Sequence, residues 1–297
     1  MKKVVITGAA GFTGCNLVEE LLRQNYFVYA VVRPNSAHNK RLAESENLKL
    51  IPLDFSEYNL LAEKIFDTCD YFFHLTWQGE GGRDNFFKQY ENMQYTVKTL
   101  EAAKKIGCKR FICTGSQAEY GSHDEIITEE TLTRPFDAYG TAKLATCHLT
   151  RNLAKQLEID WIWGRIFSTY GKYEPAGRML PDLVKNLMAG KSFSLSSATQ
   201  YWDYLYSKDA AKALIALAEK GNAGEIYNIA NGNYRPLKEF TEEIRRIVAP
   251  NIILNYGKTP TKIVSLRPSV EKIFNDTGWK AETSFSDGIK EVINFLK

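Results

Sequence analysis

Tyr139 and Lys143 stand four residues apart and are the pair of side chains in this sequence best suited to proton transfer. Residues at positions i and i+4 of a helix share one face, so the phenol and the ammonium group are expected to be neighbours. A phenol ordinarily has a pKa of about 10, and a nearby ammonium group lowers that pKa by stabilising the phenolate. Ser116 follows a β-rich run and adds a hydroxyl that can hold a substrate oxygen toward the tyrosine. These three residues predict proton transfer to or from a carbinol oxygen while a hydride moves at the attached carbon.

A hydride needs a carrier, and the glycine-rich segment TGAAGFTG at residues 7–14 predicts a binding site for a dinucleotide. It lies between a buried-strand pattern and a helical pattern, which is the context that makes such a motif informative. Gly8 permits a tight turn, Gly11 lets a pyrophosphate approach the backbone, and Gly14 lets the helix pack closely on the strand. The helix N-terminus adds free N–H groups and the positive end of its dipole. The expected contacts in this turn are Gly8, Ala10, Gly11, Phe12, Thr13 and Gly14.

The end of the second strand bears on which dinucleotide is bound. An acidic residue there would accept hydrogen bonds from a ribose 2′-hydroxyl, but this strand is followed by Arg33, with Asn35 and Ser36 close behind. A cation beside small polar groups favours the 2′-phosphate of NADP, with NAD as the alternative. Asp54 and Phe55 follow the third strand and are expected near the cofactor. For Asp54 two interpretations stay open, a hydrogen bond to the adenine or a cap on the next helix.

The pattern of the first half predicts the elements that bring these residues together. Short β-rich runs alternate with amphipathic helical runs, which indicates βαβ units, a parallel sheet and right-handed crossovers. The strands are nearly continuous in apolar residues, as expected when helices cover both faces. The predicted strands are 3–7, 27–32, 48–52, 71–75, 110–114 and 160–166, and the helices are 15–24, 86–106 and 139–157. We therefore predict an α/β fold, a Rossmann doubly wound parallel sheet, with ligands at the carboxyl ends of its strands.

The second half of the chain is less regular and predicts a smaller, partly interleaved C-terminal substrate lobe. Helices are expected near 179–188, 208–220, 237–248 and 285–296, with a strand at 225–229. We expect residues 1–166 to form the NAD(P)-binding Rossmann domain and residues 167–297 to form mainly the substrate-binding lobe. Segments near 201–230 are expected to return to the Rossmann core.

Composition excludes several classes of function. The chain has 297 residues, a net charge of +3 and no long basic run, so nucleic-acid binding has no support. Its five cysteines and four histidines show no metal-ligand spacing, and we expect no metal. His74 lies inside a strand and is interpreted as a core residue. No apolar stretch is long enough for a signal peptide or a membrane span, so we expect a cytoplasmic protein.

Eight segments of the sequence together resemble the extended short-chain dehydrogenase/reductase family, which comprises nucleotide-sugar epimerases, dehydratases and reductases. The resemblance covers essentially the whole chain. The segments are TGAAGFTG at 7–14, FFHLTW at 72–77, ENMQYTVKTLEAAKKIGCKRFICTGSQAEYG at 91–121, which contains Asn92, YGTAK at 139–143, GRIFSTYG at 164–171, YWDYLYSKDAAKAL at 201–214, GEIYNIANG at 224–232 and TGWKAETSFSDGI at 277–289.

The resemblance implies roles for individual residues, carried over position by position. Ser116, Tyr139 and Lys143 match the family's catalytic triad. Residues expected at the cofactor, besides this tyrosine and lysine, are Leu75, Thr76, Thr114, Ile166 and Ser168. Residues expected at a nucleotide-sugar substrate, besides the serine, are Trp77, Gln78, Gln117, Ala118, Phe167, Arg178, Tyr204 and Arg267. The resemblance also implies a homodimer that packs helices 86–106 and 139–157 against their copies.

Departures from the family pattern narrow the reaction. Sugar 4,6-dehydratases carry an acidic pair directly after the catalytic hydroxyl residue, where this chain has Gln117 and Ala118, and alanine cannot act as an acid. Glu119 is offset by one position, which is expected to point it elsewhere. Epimerase–reductases similar to fucose synthases use a cysteine shortly after that serine, whereas Cys113 precedes it here. Dehydration and C5-epimerisation are therefore disfavoured.

Three functions remain open. The favoured one is NADPH-dependent reduction of an NDP-4-keto-6-deoxy sugar, similar to the CDP-abequose and CDP-paratose synthases, because Arg33 suits NADPH and the chain is shorter than most 4-epimerases. The second is a sugar-nucleotide 4-epimerase that holds NAD tightly. The third is a non-catalytic dinucleotide-binding regulator, which would have no need of the intact triad. Residues 77–83 form an unusual loop that is interpreted as a specificity element or lid, or as a plain glycine loop.

Overall fold

A parallel sheet of seven strands forms the centre of the structure, a computed structural model that describes residues 1–79, 81–258 and 264–297. The strands in chain order are β1 Lys3–Thr7, β2 Phe27–Val32, β3 Leu48–Pro52, β4 Tyr71–His74, β5 Arg110–Ser116, β6 Asp160–Ile166, β7 Thr169–Tyr170, β8 Tyr201–Trp202, β9 Leu205–Tyr206, β10 Glu225–Ile229 and β11 Arg235–Pro236. The helices are α1 Phe12–Arg23, α2 Phe86–Lys105, α3 Ala138–Leu157, α4 Met179–Met188, α5 Ser207–Lys220, α6 Leu237–Val248, α7 Glu271–Thr277 and α8 Phe285–Leu296. Short 3-10 helices occupy Ala37–Arg41, Phe55–Glu63 and Gln117–Glu119.

The strand order of the sheet is β10-β6-β5-β4-β1-β2-β3, so the winding direction reverses between β1 and β4. Thr7 at the end of β1 pairs with Val31 of β2 on one side and His74 of β4 on the other. The predicted doubly wound parallel sheet is confirmed. A crevice opens beyond the carboxyl ends of the strands where the order reverses, which is the usual place for a ligand in such sheets.

Helices cover both faces of the sheet, which explains its nearly continuous apolar strands. On one face, Val4 and Ile6 of β1 pack in a core with residues of α1 and α5. On the other, Val5 packs in a second core with residues of α2 and α3. Side chains alternate between the faces of a strand, so both faces of β1 must be apolar.

The C-terminal lobe has its own apolar core, formed by α4, α6 and α8. Two of its small strand pairs are β8 with β11 and β7 with β9. β10 lies outside this lobe, because it pairs in parallel with β6 at the edge of the main sheet. Some elements differ from the prediction. α7 was not predicted from the sequence. β5 continues two residues beyond its predicted end, because Ser116 pairs with Ile166 of β6.

His74 is a buried residue whose two ring nitrogens both have hydroxyl partners. Its Nδ1 lies 2.8 Å from Thr7 Oγ1 and its Nε2 lies 3.1 Å from Thr96 Oγ1. Burial lowers its pKa to about 3, so the ring is neutral and ties β1, β4 and α2 together.

Within the described ranges, no group of three or more His, Cys, Asp or Glu side chains could hold a metal ion. No helix among the same residues has the length and apolar character that crossing a bilayer requires.

Candidate active site

The glycine turn between β1 and α1 is packed too closely for a larger side chain at Gly8 or Gly14. Gly8 has a φ of +69°, and a Cβ there would lie 3.0 Å from the backbone nitrogen of Thr76. A Cβ on Gly14 would lie 2.1 Å from the carbonyl oxygen of Gly8. Gly11 immediately precedes α1, whose first N–H groups have no acceptor within the helix. The turn therefore fits a pyrophosphate held by backbone N–H groups at a helix N-terminus.

A basic segment follows β2 at one end of this turn. Arg41 donates from Nη1 to the carbonyl oxygen of Ala10 at 3.3 Å, and burial together with the charges of Arg41 and Arg33 lowers the pKa of His38. His38 and Arg41 line the cleft, and neither was predicted from the sequence because they lie on a 3-10 helix without apolar periodicity. The three residues predicted here, Arg33, Asn35 and Ser36, are not among the lining residues.

Asp54 and Phe55, which follow β3, have structural roles. Asp54 precedes the 3-10 helix Phe55–Glu63, and its N–H donates to Glu57 Oε2 at 3.2 Å. The structure thus supports the capping interpretation of Asp54. Phe55 is buried, and its ring packs 5.0 Å from that of Tyr58. Neither residue is among those that line the cleft.

A cleft of about 1260 Å³ runs from the glycine turn across the carboxyl ends of β1, β4, β5 and β6 to the C-terminal lobe. Most residues expected to bind cofactor or substrate line it. Those outside the glycine turn are Leu75, Trp77, Thr114, Ser116, Gln117, Tyr139, Lys143, Ile166, Phe167, Ser168, Arg178 and Tyr204.

Besides the residues after β2 and β3 already described, five predicted residues do not line the cleft: Ala10 in the glycine turn, and Thr76, Gln78, Ala118 and Arg267. Thr76 directs its hydroxyl to that of Tyr58 at 3.1 Å, and Gln78 exchanges backbone hydrogen bonds with the Asn92 amide. Ala118 is buried, and its carbonyl lies 2.6 Å from where a Cβ on Gly140 would be. Arg267 donates to the carbonyl oxygen of Asp124 at 2.8 Å.

The serine, tyrosine and lysine are all buried residues that line this cleft. α3 begins at Asp137, whose carboxylate accepts from the Gly140 N–H at 2.7 Å. This cap sets Tyr139 in the first turn and Lys143 one turn later on the same face. Lys143 Nζ donates to the carbonyl oxygen of Thr114 at 2.8 Å, which fixes the ammonium group against the end of β5. All three side chains are buried in the floor yet line the cleft, so together they can hold and protonate a substrate oxygen.

Glu119 lies beneath the serine and is turned away from the cleft. Its Oε1 accepts from the backbone N–H of Ser116 at 2.8 Å and from Trp163 Nε1 at 3.0 Å. Its Oε2 accepts from Arg165 Nε at 2.7 Å, and this ion pair is almost completely buried. A Cβ on Gly115 would lie 2.1 Å from Trp163 Nε1, so the glycine makes room for this arrangement. Glu119 therefore holds the serine in place from below.

The loop after β4 contacts the tyrosine and the lysine directly. The Trp77 ring lies 3.9 Å from Lys143 Nζ and meets the Tyr139 ring edge-on, with centroids 6.1 Å apart. The Arg83 guanidinium carbon lies 4.5 Å from the centroid of the Tyr139 ring. Glu80, in the same predicted loop, lies outside the described residues. The loop is unusual in sequence, but no pattern in it predicted these contacts.

The segment after β7 supplies the opposite wall of the cleft. Glu174 lines it, and burial raises the pKa of this carboxyl to about 7. Arg178 lines the same wall and partly offsets that effect. Glu174 Oε2 is buried and has no hydrogen-bond partner in the described parts of the chain. No sequence pattern indicated a role for Glu174, because its environment depends on how the lobe packs against the sheet.

Two curated relatives match nearly all of the chain. It is 27% identical, over 99% of its length, to the trifunctional UDP-glucose 4,6-dehydratase/UDP-4-keto-6-deoxy-D-glucose 3,5-epimerase/UDP-4-keto-L-rhamnose-reductase RHM2 of Arabidopsis thaliana, but it spans only 47% of that protein. It is also 27% identical to the dTDP-glucose 4,6-dehydratase of Escherichia coli, over 99% of this chain and 93% of the relative.

Solved structures share the fold over almost the full length. The UDP-N-acetylglucosamine 4-epimerase of Methanobrevibacter ruminantium M1, solved with UDP-N-acetylmuramic acid, superposes with a TM-score of 0.90 at 23% identity, over 99% of this chain and 98% of that one. RMD of Pseudomonas aeruginosa, solved with NADPH, gives a TM-score of 0.83 at 20% identity over the same shares. Residues 4–230 match the sequence profile of the NAD dependent epimerase/dehydratase family. This match covers well over half of the chain, and the chain belongs to that family.

Proposed function

We propose that the protein is an NADPH-dependent reductase of a nucleotide-linked 4-keto-6-deoxy sugar. One observation carries the choice of reaction: the cleft holds Ser116, Tyr139 and Lys143 but lacks an acidic side chain just after the serine. Gln117 is an amide, Ala118 is buried, and Glu119 is committed to Arg165 beneath the floor. A dehydratase needs a group there that removes and delivers protons, whereas a carbonyl reductase needs only the tyrosine.

The chemistry assigns one task to each side chain. A dinucleotide, when bound, supplies the hydride that forms the new C–H bond. Ser116 donates a hydrogen bond to the carbonyl oxygen and orients it toward Tyr139. The phenolic O–H of Tyr139 breaks as the carbonyl oxygen gains its proton, and the Lys143 ammonium stabilises the phenolate that remains. Solvent then returns the proton to Tyr139.

Turnover with defined substrates tests this proposal. The purified protein is mixed with NADPH or NADH and with 4-keto-6-deoxy sugars linked to UDP, GDP, CDP or dTDP, and loss of reduced-nicotinamide absorbance is followed. We expect oxidation of NADPH with one nucleotide series. NAD that stays bound through purification, with interconversion of 4-epimers and no net oxidation, would identify an epimerase instead. Cofactor binding without turnover of any sugar would identify a regulator.

The basic segment after β2 supports NADP as the cofactor. Burial is the largest cause of the lowered pKa of His38, and the charges of Arg41 and Arg33 add to it, so three basic side chains lie close together in this segment and concentrate positive potential there. A 2′-phosphate accepts charge-assisted hydrogen bonds from such groups, each contributing about 1.5–3 kcal/mol. We expect the double variant Arg33→Ala/Arg41→Ala to bind NADPH about 10- to 100-fold more weakly while its affinity for NADH changes little.

Fluorescence titration with each dinucleotide measures this selectivity. Lys40→Ala is the matched control, because Lys40 is exposed on the same 3-10 helix but, unlike Arg33 and Arg41, is not one of the charges that lower the pKa of His38. An equal loss of affinity for NADPH and NADH in the double variant would argue against recognition of a 2′-phosphate.

We also propose a homodimer formed through α2 and α3. The two helices pack side by side on one face of the sheet and expose large apolar side chains, including Phe87, Tyr90 and Leu149. An exposed apolar patch on a helix pair suits a self-complementary interface. Sedimentation should give twice the mass of one chain, and Leu149→Glu should shift it toward the monomer. A monomeric wild-type protein at micromolar concentration would contradict the proposal.

A further inference from the structure

Arg83 makes three separate contacts with the start of α3, the helix that carries Tyr139 and Lys143. Its carbonyl oxygen accepts the backbone N–H of Tyr139 at 2.9 Å. Its Nε donates to Asp137 Oδ2 at 2.6 Å, and the guanidinium lies over the face of the Tyr139 ring, 4.5 Å from the centroid. Asp137 is also the cap of α3, through its bond to the Gly140 N–H. A residue 56 positions earlier in the sequence (139 minus 83) therefore fixes both the backbone and the ring of the tyrosine.

Trp77 contacts the Tyr139 ring from a second side. It meets the Tyr139 ring edge-on, and its own face covers Lys143 Nζ at 3.9 Å. Trp77 is itself held by a bond from its Nε1 to Gln89 Oε1 at 2.8 Å. The tyrosine ring thus has a tryptophan at its edge and a guanidinium on its face, and both come from the loop after β4.

A cation on the face of a phenol distinguishes between its two protonation states. With the neutral ring the attraction arises from the ring quadrupole, and with the phenolate it gains a full opposite charge. The guanidinium therefore interacts more strongly with the phenolate.

We propose that Arg83 is a positioning residue of the catalytic centre, which orients the Tyr139 ring and stabilises the phenolate formed when the tyrosine protonates its substrate. This inference rests on the proposed function in one respect, that Tyr139 is the proton donor. The O–H bond of the tyrosine breaks, an O–H bond forms on the former carbonyl oxygen, and the negative charge left on the phenolate is shared between Lys143 and Arg83.

The other charged groups around Tyr139 do not change the role proposed for Arg83. On α3 itself they are Lys143 and the Asp137 carboxylate, which is occupied by Arg83 and the helix cap. The β5 residues that line the cleft are Thr114, Gly115 and Ser116, none of which is charged, and Cys113 of the same strand is buried. The segment after β7 places Glu174 and Arg178 on the opposite wall, and Glu119 is paired with Arg165 below the floor.

Steady-state kinetics over a range of pH separate a role in catalysis from one in folding. We expect Arg83→Met to lower kcat about 10- to 100-fold, with the KM for the sugar nucleotide and the Kd for NADPH changed less than about threefold. Reduction requires a protonated tyrosine, so the alkaline limb of the profile should move about one pH unit higher when phenolate stabilisation is lost. Arg83→Lys should restore part of both effects. Arg23→Met is the matched control, because Arg23 forms a similar ion pair with Glu20 on the surface of α1.

A carbon NMR titration of Tyr139 tests the role of Arg83 separately from the reductase assignment. The protein is labelled in its tyrosine rings, and the Tyr139 signal is assigned by its absence in Tyr139→Phe. Deprotonation of Tyr139 at higher pH in Arg83→Met than in wild type is the expected result. The same titration curve in both proteins, with both folded by circular dichroism, would overturn the inference about Arg83 even if the reductase assignment held. Wild-type protein that turns over no keto sugar would overturn the reductase assignment, and the titration would still decide the role of Arg83.

Discussion

Replacement of Tyr139 by phenylalanine is expected to lower turnover about 10²- to 10⁴-fold while the dinucleotide still binds. The variant keeps the ring, and with it the contacts with Trp77 and the Arg83 guanidinium. It loses only the oxygen and the proton that the substrate oxygen must receive. Single-turnover measurements with saturating NADPH and keto sugar test this expectation, because they report the chemical step without product release.

Tyr71→Phe serves as the matched control for that experiment. Tyr71 begins β4 at the far end of the sheet from the cleft, and its hydroxyl accepts from Lys2 Nζ. It should leave turnover unchanged. A Tyr139→Phe enzyme with near-normal rates would remove the tyrosine from the proposed mechanism, and loss of cofactor affinity in the same variant would point to a binding role instead.

Replacement of Glu119 by leucine is expected to lower the free energy of unfolding by about 3–5 kcal/mol. The Arg165 guanidinium is almost completely buried, and without Glu119 its charge would lack its carboxylate partner. The N–H groups of Ser116 and Trp163 would lose an acceptor in the same change. Urea denaturation measures the loss, with both transitions fitted to a common dependence on denaturant concentration.

The double variant Glu119→Leu/Arg165→Met shows whether the buried charge is the cause. Exchange of both partners for apolar residues is often close to neutral, so most of the stability should return. Catalysis should not return with it, because the Ser116 N–H still lacks its acceptor. A single variant Glu119→Leu as stable as wild type would contradict the importance assigned to this ion pair.

Much of the sheet could be predicted because its signals are local. The bounds of β1, β2, β3, β6 and β10 coincide with apolar runs that end at turn-forming residues. The same is true of α4, α6 and α8, whose apolar periodicity is strong. α7 was missed because its seven residues are too few to show a helical period. The start of α1 lies earlier than expected because the glycine turn leads directly into it.

The parts of the candidate site that escaped prediction depend on tertiary contacts. The glycine turn and the Tyr139/Lys143 spacing are visible in the sequence because each is contained within one segment. The stacking of Arg83 on Tyr139 joins two distant segments, and no periodicity encodes it. Asp54 shows a different limit, since its sequence position fits an adenine contact and a helix cap equally. The structure adds a hydrogen bond from its N–H to Glu57, as a cap would have.

The arrangement beneath Ser116 has a consequence for how this enzyme can diversify. The serine is anchored from inside the protein by Glu119, whereas Gln117 faces the open cleft without any part in that anchor. Residues that select the sugar can therefore change while the reactive hydroxyl stays where it is. Related proteins can therefore acquire new substrates through single substitutions at the cleft, because few of those substitutions would lower the stability of the fold.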